Sequence, residues 1–216
     1  MRMEKMIRFF SERVEGYDEH MLTEVNGCKE GYLAMAKLIP PSCQSLLDLG
    51  CGTGLELDEI LKRMPDLDIT GIDLTPAMLN KLKQKHPDKS IHLICGDYFD
   101  VPFGFAKYEC TISFQTMHHF SHELKTKLYK KINQALTDNG IYIECDYMVE
   151  NQEEEDFYYA ENFRIRKELN LSDNEFYHYD TPCTITKQIV MLKSAGFSNV
   201  EKVFRMENTT ILVAHK

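Results

Sequence analysis

The chemistry in this 216-residue chain gathers where short apolar runs end. Asp48-Leu49-Gly50-Cys51-Gly52-Thr53-Gly54 follows one such run and opens a helical pattern. Glycines at 50, 52 and 54 let the backbone turn sharply and approach a ligand with no Cβ in the way. The helix that follows points its free N–H groups at whatever sits there. The spacing is Gly-x-Gly-x-Gly, which does not meet the Gly-x-Gly-x-x-Gly fingerprint of a dinucleotide pyrophosphate and disfavours a nicotinamide-dependent dehydrogenase. The next run ends in Gly71-Ile72-Asp73, a carboxylate placed to accept both hydroxyls of a ribose. A third ends in Cys95-Gly96-Asp97-Tyr98, bringing a second carboxylate to the same edge. Taken singly these are turn glycines and capping aspartates; three matched strand ends favour a ligand site.

His118 and His119 follow the fourth run, and either imidazole could remove a proton from a substrate near neutral pH; stacking or packing is the structural alternative. In the fifth run Glu144 and Asp146 are read as facing opposite sides, with Asp146 nearer the ligand end as a base or substrate-binding group. A divalent metal would want about three converging oxygen ligands. The strand ends do not supply them, so no metal is expected. Residues 157–179 are rich in Phe and Tyr, the composition of an apolar pocket, with Arg164 and Arg166 as counter-charges for a substrate carboxylate.

These residues must be held by a regular alternation of elements. Strands are expected at 45–49, 69–73, 91–95, 108–114 and 141–145, with helices at 55–63, 76–85 and 122–136 between them, stopped by Pro or Gly. That βαβαβ order implies a parallel sheet. A helix over 184–195 closed by Gly196 precedes extended runs at 200–206 and 209–214 joined at Glu207-Asn208, an antiparallel hairpin. Residues 150–181 break the alternation as an insertion, and helices at 7–13 and 31–38 could cover the strand ends. The expected fold is α/β, a Rossmann-like doubly wound sheet of seven strands, parallel except for one edge strand, in a single domain over 1–216.

Composition narrows the function. A formal charge of −9 repels phosphate backbones, so nucleic acid is an unexpected partner. No apolar stretch is long enough to span a bilayer and the N-terminus lacks the form of a secretory signal, which points to a soluble, cytoplasmic protein. The seven cysteines are scattered, without Cys-x-x-Cys, and read as free buried thiols.

The motifs 46–54, Gly71-Ile72-Asp73 and Gly96-Asp97, with residues 113–120 and 136–141, resemble in order those of class I S-adenosylmethionine-dependent methyltransferases. The resemblance implies S-adenosylmethionine as cofactor, with Gly50 and Gly52 at its methionine part and Asp48, Cys51, Gly54, Met78, Phe114 and Gln115 also among the cofactor-binding residues. It further implies Asp73 at the ribose, Asp97 at the adenine amino group, and Leu74 and Tyr98 flanking the ring. Residues 10–18 and Gly31-Tyr32 resemble the family's cover, so Tyr17 or Tyr32 could meet the cofactor carboxylate. The implied activity is methyl transfer to a small-molecule acceptor by a monomer or homodimer. Residues 184–197 and the cover also resemble carboxy-S-adenosylmethionine synthases, but no convincing match to the arginine those enzymes use on the added carboxylate is found in 164–184. A non-catalytic cofactor-binding protein would keep the same glycines.

Overall fold

The structure is a computed structural model, and it describes residues 3–172 and 175–216. In chain order the elements are α1 (Met6–Thr23), α2 (Cys28–Leu38), β1 (Ser45–Leu49), α3 (Leu55–Arg63), β2 (Asp68–Asp73), α4 (Pro76–Lys85), β3 (Ile91–Cys95) and β4 (Tyr108–Phe114). A 3-10 turn (Met117–His119), α5 (His122–Ala135), β5 (Leu136–Val149), α6 (Gln152–Glu168), β6 (Cys183–Thr184), α7 (Ile185–Ser194), β7 (Asn199–Met206) and β8 (Thr209–His215) complete the chain.

The sheet runs β3-β2-β1-β4-β5-β8-β7, with the two-residue β6 pairing with the end of β5. It is the doubly wound, Rossmann-like sheet expected, with one correction. The antiparallel strand is β8, which lies one place in from the edge between β5 and β7; β7, at the edge, is antiparallel only to β8. A hairpin whose second strand pairs with β5 necessarily leaves its first strand outermost.

Alternating side chains divide the core between the two faces of the sheet. Leu46, Ile69, Ile112 and Ile143 pack with Tyr32, Met35, Leu57 and Ile60 of α2 and α3. Leu47, Leu49, Ile72 and Tyr142 pack with Tyr129, Ile132 and Leu192 of α5 and α7. Glu144 and Asp146 lie two residues apart on β5 and so share a face, contrary to the assignment to opposite sides. Both are buried on the α5/α7 side, Glu144 bonded to Gln188 and Asp146 to His118.

Three helices exceed the sequence expectation, α2 by its first turn from Cys28. α1 continues through Gly16 to Thr23, and the inserted segment contains the 17-residue α6. The start of α6 was legible: Asn151 accepts from the Glu154 N–H, and Glu153, Glu154 and Glu155 fill the first turn, where the helix dipole favours anions. Among the described residues no helix is long and apolar enough to cross a membrane.

Candidate active site

The ends of β1, β2 and β3 form one ledge. After β1 the chain turns so that Gly50 N–H and Cys51 N–H both donate to the Ile72 carbonyl, at 2.8 and 3.2 Å. Gly50 has φ +73, and a Cβ there would lie 2.9 Å from Thr116 Oγ1. Gly52, at φ +48, would meet nothing nearer than 3.8 Å, so its missing side chain leaves open space on the ligand side. Asp73 is clamped by the turn: Oδ2 accepts from Gly52 N–H at 3.0 Å and Oδ1 from Thr75 N–H at 2.7 Å. Burial raises its pKa, and those two backbone donors pull it back. Asp97 accepts from Phe99 N–H at 2.8 Å and is likewise pushed up by burial.

These groups line a narrow channel of about 60 Å³, together with Leu74, Met78, Tyr98, Phe114 and Gln115. The donor set suits an adenosyl group: a Cβ-free cradle, two strand-end carboxylates for hydroxyl and amino donors, and an apolar wall. Four residues expected at the cofactor sit elsewhere. Asp48 is fully buried beneath the turn, facing Glu56, and does not line the channel. Cys51 points back at Gly71, and Gly54 packs against Leu82 because its role is to carry a φ of +77 into α3. Tyr32 stacks on Phe114 at 3.8 Å within the core; Tyr17 is the cover tyrosine that reaches the ligand space.

A larger chamber of about 790 Å³ adjoins the channel, and Phe10, Tyr17, Gln115 and His119 border both. One wall of this chamber is polar. His118 Nδ1 lies 2.6 Å from Asp146 Oδ1, while its Nε2 lies 3.5 Å from Asp180 Oδ1 and His119 Nδ1 lies 3.6 Å from the same oxygen. Burial alone would lower the His118 pKa, but Asp146 and Asp180 on either side raise it to about 10. Burial and the neighbouring His118 push His119 well below the ordinary histidine range. The two histidines are therefore not equivalent, as the sequence treated them: the first favours its protonated form and the second its neutral form.

The roof comes from α1 and the loop before β6. His178 N–H donates to the Glu4 carbonyl at 2.9 Å, Met6 N–H to the Phe176 carbonyl at 3.0 Å, and the His178 ring stacks on Phe9 at 3.5 Å. Thr116, His178 and Asp180 escaped the sequence reading. The available signal was weak: Tyr177-His178-Tyr179-Asp180 sets two polar groups in an otherwise aromatic stretch. Arg164 and Arg166 line neither cavity, Arg164 pairing with Glu161 and Glu168 and Arg166 lying by Tyr177 and Ser172.

Residues 46–140 match the family model described as a methyltransferase domain. The carboxy-S-adenosyl-L-methionine synthase of Nautilia profundicola is 26% identical over 227 residues, 99% of this chain and 96% of that protein. The enzyme of the same name from Helicobacter pylori strain P12 is 28% identical over 184 residues, 79% of this chain and 74% of the other. Human N-acetylserotonin methyltransferase in complex with SAM superposes with a TM-score of 0.70 at 17% identity, over 98% of this chain. This chain spans only 57% of that larger protein. DesVI of Streptomyces venezuelae superposes with a TM-score of 0.67 at 17% identity, over 94% of this chain and 97% of the other. Identities this low carry the fold rather than a shared substrate. Fold, domain match and strand-end site agree: residues 46–140 match a methyltransferase domain, the chain has the fold of class I S-adenosylmethionine-dependent methyltransferases, and these findings support S-adenosylmethionine as its cofactor.

Proposed function

We propose that the protein transfers the cofactor's methyl group to a small, partly hydrophobic acceptor that enters the larger chamber and turns a hydroxyl, amine or thiol toward the wall of His118, His119 and Asp180. The observation that carries this reading is the junction of the two cavities at Tyr17, Gln115 and His119. A group held on the chamber side is thereby brought up to the end of the channel. When bound, S-adenosylmethionine supplies an electrophilic methyl on sulfonium. Asp73 would hold the ribose hydroxyls, Asp97 the adenine amino group, and the Gly50–Gly52 turn the methionine part. His118, His119 and Asp146 would orient the acceptor and manage its proton. In-line positioning and exclusion of water do the remaining work, which suits a chamber lined by Phe9, Phe10 and Tyr147.

The test is a panel of small aromatic and aliphatic alcohols, amines and thiols, read by formation of S-adenosylhomocysteine and the mass of the acceptor. Turnover of one class identifies the acceptor atom. Tight cofactor binding with no S-adenosylhomocysteine across the panel would overturn the methyl-transfer reading. The names of the curated relatives favour a second reading, modification of the cofactor itself by a carboxyl group. Against it, the arginine lining the chamber among the described residues is Arg13, already paired with Glu4 at 3.3 Å and stacked on Phe9. Mass spectrometry separates the two, since a carboxylated S-adenosylmethionine would replace S-adenosylhomocysteine as the nucleoside product.

A further inference from the structure

We propose that His118, His119 and Asp180 form a binding site for one divalent transition-metal ion, of the zinc or ferrous class, on the polar wall of the larger chamber. One donor atom from each lies within 4.8 Å of the others. Nitrogen and carboxylate ligands hold such an ion at about 2.0–2.2 Å, so two ligands of a tetrahedron stand about 3.4 Å apart. The His118 Nε2 to Asp180 Oδ1 and His119 Nδ1 to Asp180 Oδ1 separations are 3.5 and 3.6 Å. Both are too long for a good hydrogen bond and close to a tetrahedral edge.

Two of the donor atoms lack a hydrogen-bond partner. The His119 side chain is 4% exposed, and its Nδ1 and the facing Asp180 Oδ1 are buried without a hydrogen-bond partner. Buried polar atoms are seldom left so, and an ion between them satisfies both. Asp146 holds Nδ1 of His118 at 2.6 Å, which leaves Nε2 turned toward the site; a carboxylate on the far nitrogen is how proteins orient a metal-bound histidine. The loop is fixed in advance, because Thr181 donates to the His118 carbonyl through its N–H at 2.6 Å and its Oγ1 at 2.9 Å. Two imidazoles and a single carboxylate suit a transition metal rather than magnesium or calcium, which take mainly oxygen.

A second cluster, His122, Glu155 and Cys183, also holds two unpartnered atoms, His122 Nε2 and Glu155 Oε1, but its remaining ligands are taken. Cys183 Sγ stands 3.0 Å from the Lys125 ammonium, and Glu155 accepts from Thr184 N–H at 2.6 Å.

Three protein ligands leave an open position toward the chamber. Occupancy of the site stands independently of the transferase reading, but its use rests on it. With the ion bound, His118 and His119 would act through it rather than as free bases: an acceptor O–H, N–H or S–H would coordinate and lose its proton to water. Its lone pair then forms the bond to the methyl carbon as the carbon–sulfur bond of the sulfonium breaks, releasing S-adenosylhomocysteine.

The test titrates chelator-treated full-length protein with Co²⁺, followed by its visible bands, and with Zn²⁺ by calorimetry, while S-adenosylmethionine affinity is measured on the same samples. One equivalent bound at micromolar affinity or tighter is expected, weakened at least tenfold by Asp180→Asn and by His118→Ala. Asp146→Asn should weaken it by roughly tenfold or more without abolishing the bands. Asp180→Asn, which lies outside the cofactor channel, should keep its circular dichroism and its cofactor affinity. No uptake, or uptake indifferent to these substitutions, overturns the metal site. Metal uptake without cofactor binding would instead overturn the transferase reading.

Discussion

At the scale of single residues, Asp73 is the side chain on which cofactor affinity should depend most. Its two oxygens are already oriented by Gly52 and Thr75, so nothing need be ordered when two ribose hydroxyls arrive. Charged hydrogen bonds are worth about 1.5–3 kcal/mol each, so Asp73→Ala should weaken S-adenosylmethionine binding tenfold or more. Calorimetric titration reads this directly, with NAD as the control ligand. An unchanged affinity would remove Asp73 from the site. Asp48 lies two residues before Gly50, yet its carboxyl faces Glu56 beneath the turn. Position in a motif does not say which way a side chain points.

At the scale of elements, α1 is the part of the site most open to control. Its middle is tied down by a short chain of contacts: Thr53 Oγ1 donates to Asp18 at 2.5 Å, Lys85 reaches Asp18 at 3.3 Å and Asp58 at 2.6 Å, and His86 meets Asp58 at 2.8 Å. Its start pairs with the 176–178 loop, so helix and loop close the chamber together. Binding pockets for molecules of this size run to about 300–1,000 Å³, and the channel now holds about 60 Å³. Entry of an adenosyl group therefore requires the roof of Met6, Phe10 and Phe176 to lift. Hydrogen exchange along α1 should slow on cofactor binding once the roof settles on the ligand. Asp18→Ala should speed exchange there and weaken cofactor binding by roughly threefold to tenfold, the order expected for losing about 1 kcal/mol of partly buried bonds. Equal exchange in the variant would mean that Lys81, which donates to the Val14 carbonyl at 3.3 Å, anchors the helix instead.

At the scale of the whole molecule, buried acids make stability depend on pH. Burial raises Glu56 and Glu144 each from 4.5 to about 7, with Asp48 beside Glu56 also raised well above its usual value. Glu56 faces Asp48 and feels Lys85 and Asp58; Glu144 faces Gln188 and Tyr129 and feels Asp146 and Lys125. In the folded chain these carboxyls keep their protons to near neutrality, whereas in the unfolded chain they lose them near 4.5. Between those limits the folded state binds more protons, so raising the pH favours unfolding. Tm should fall by several degrees from pH 5 to pH 7.5, and Glu56→Gln and Glu144→Gln should each flatten that slope. Buried His119, pushed below its usual range, contributes the opposite sign over the lower part of this window, so the deciding result is the difference in slope: a slope unchanged by both substitutions would contradict the assignment.

The alternation of apolar runs with capped helices determined β1 to β4, the middle of β5, α3 and α4 from the sequence alone, because period and stop signals are local; β5 itself runs from Leu136 to Val149, through the expected stop at 138–140. The ledge of Gly50, Gly52, Asp73 and Asp97 was legible for the same reason, each residue lying at a strand end of a parallel sheet. The place of β8 inside the sheet, the length of α6 and the burial of Asp48 were not, since they depend on which surfaces meet. Least legible was the wall of His118, His119, Asp146 and Asp180, whose members span 62 residues between its first and last positions (180 − 118). Only tertiary packing lays the loop before β6 across the end of β4, and that contact decides what these side chains can do.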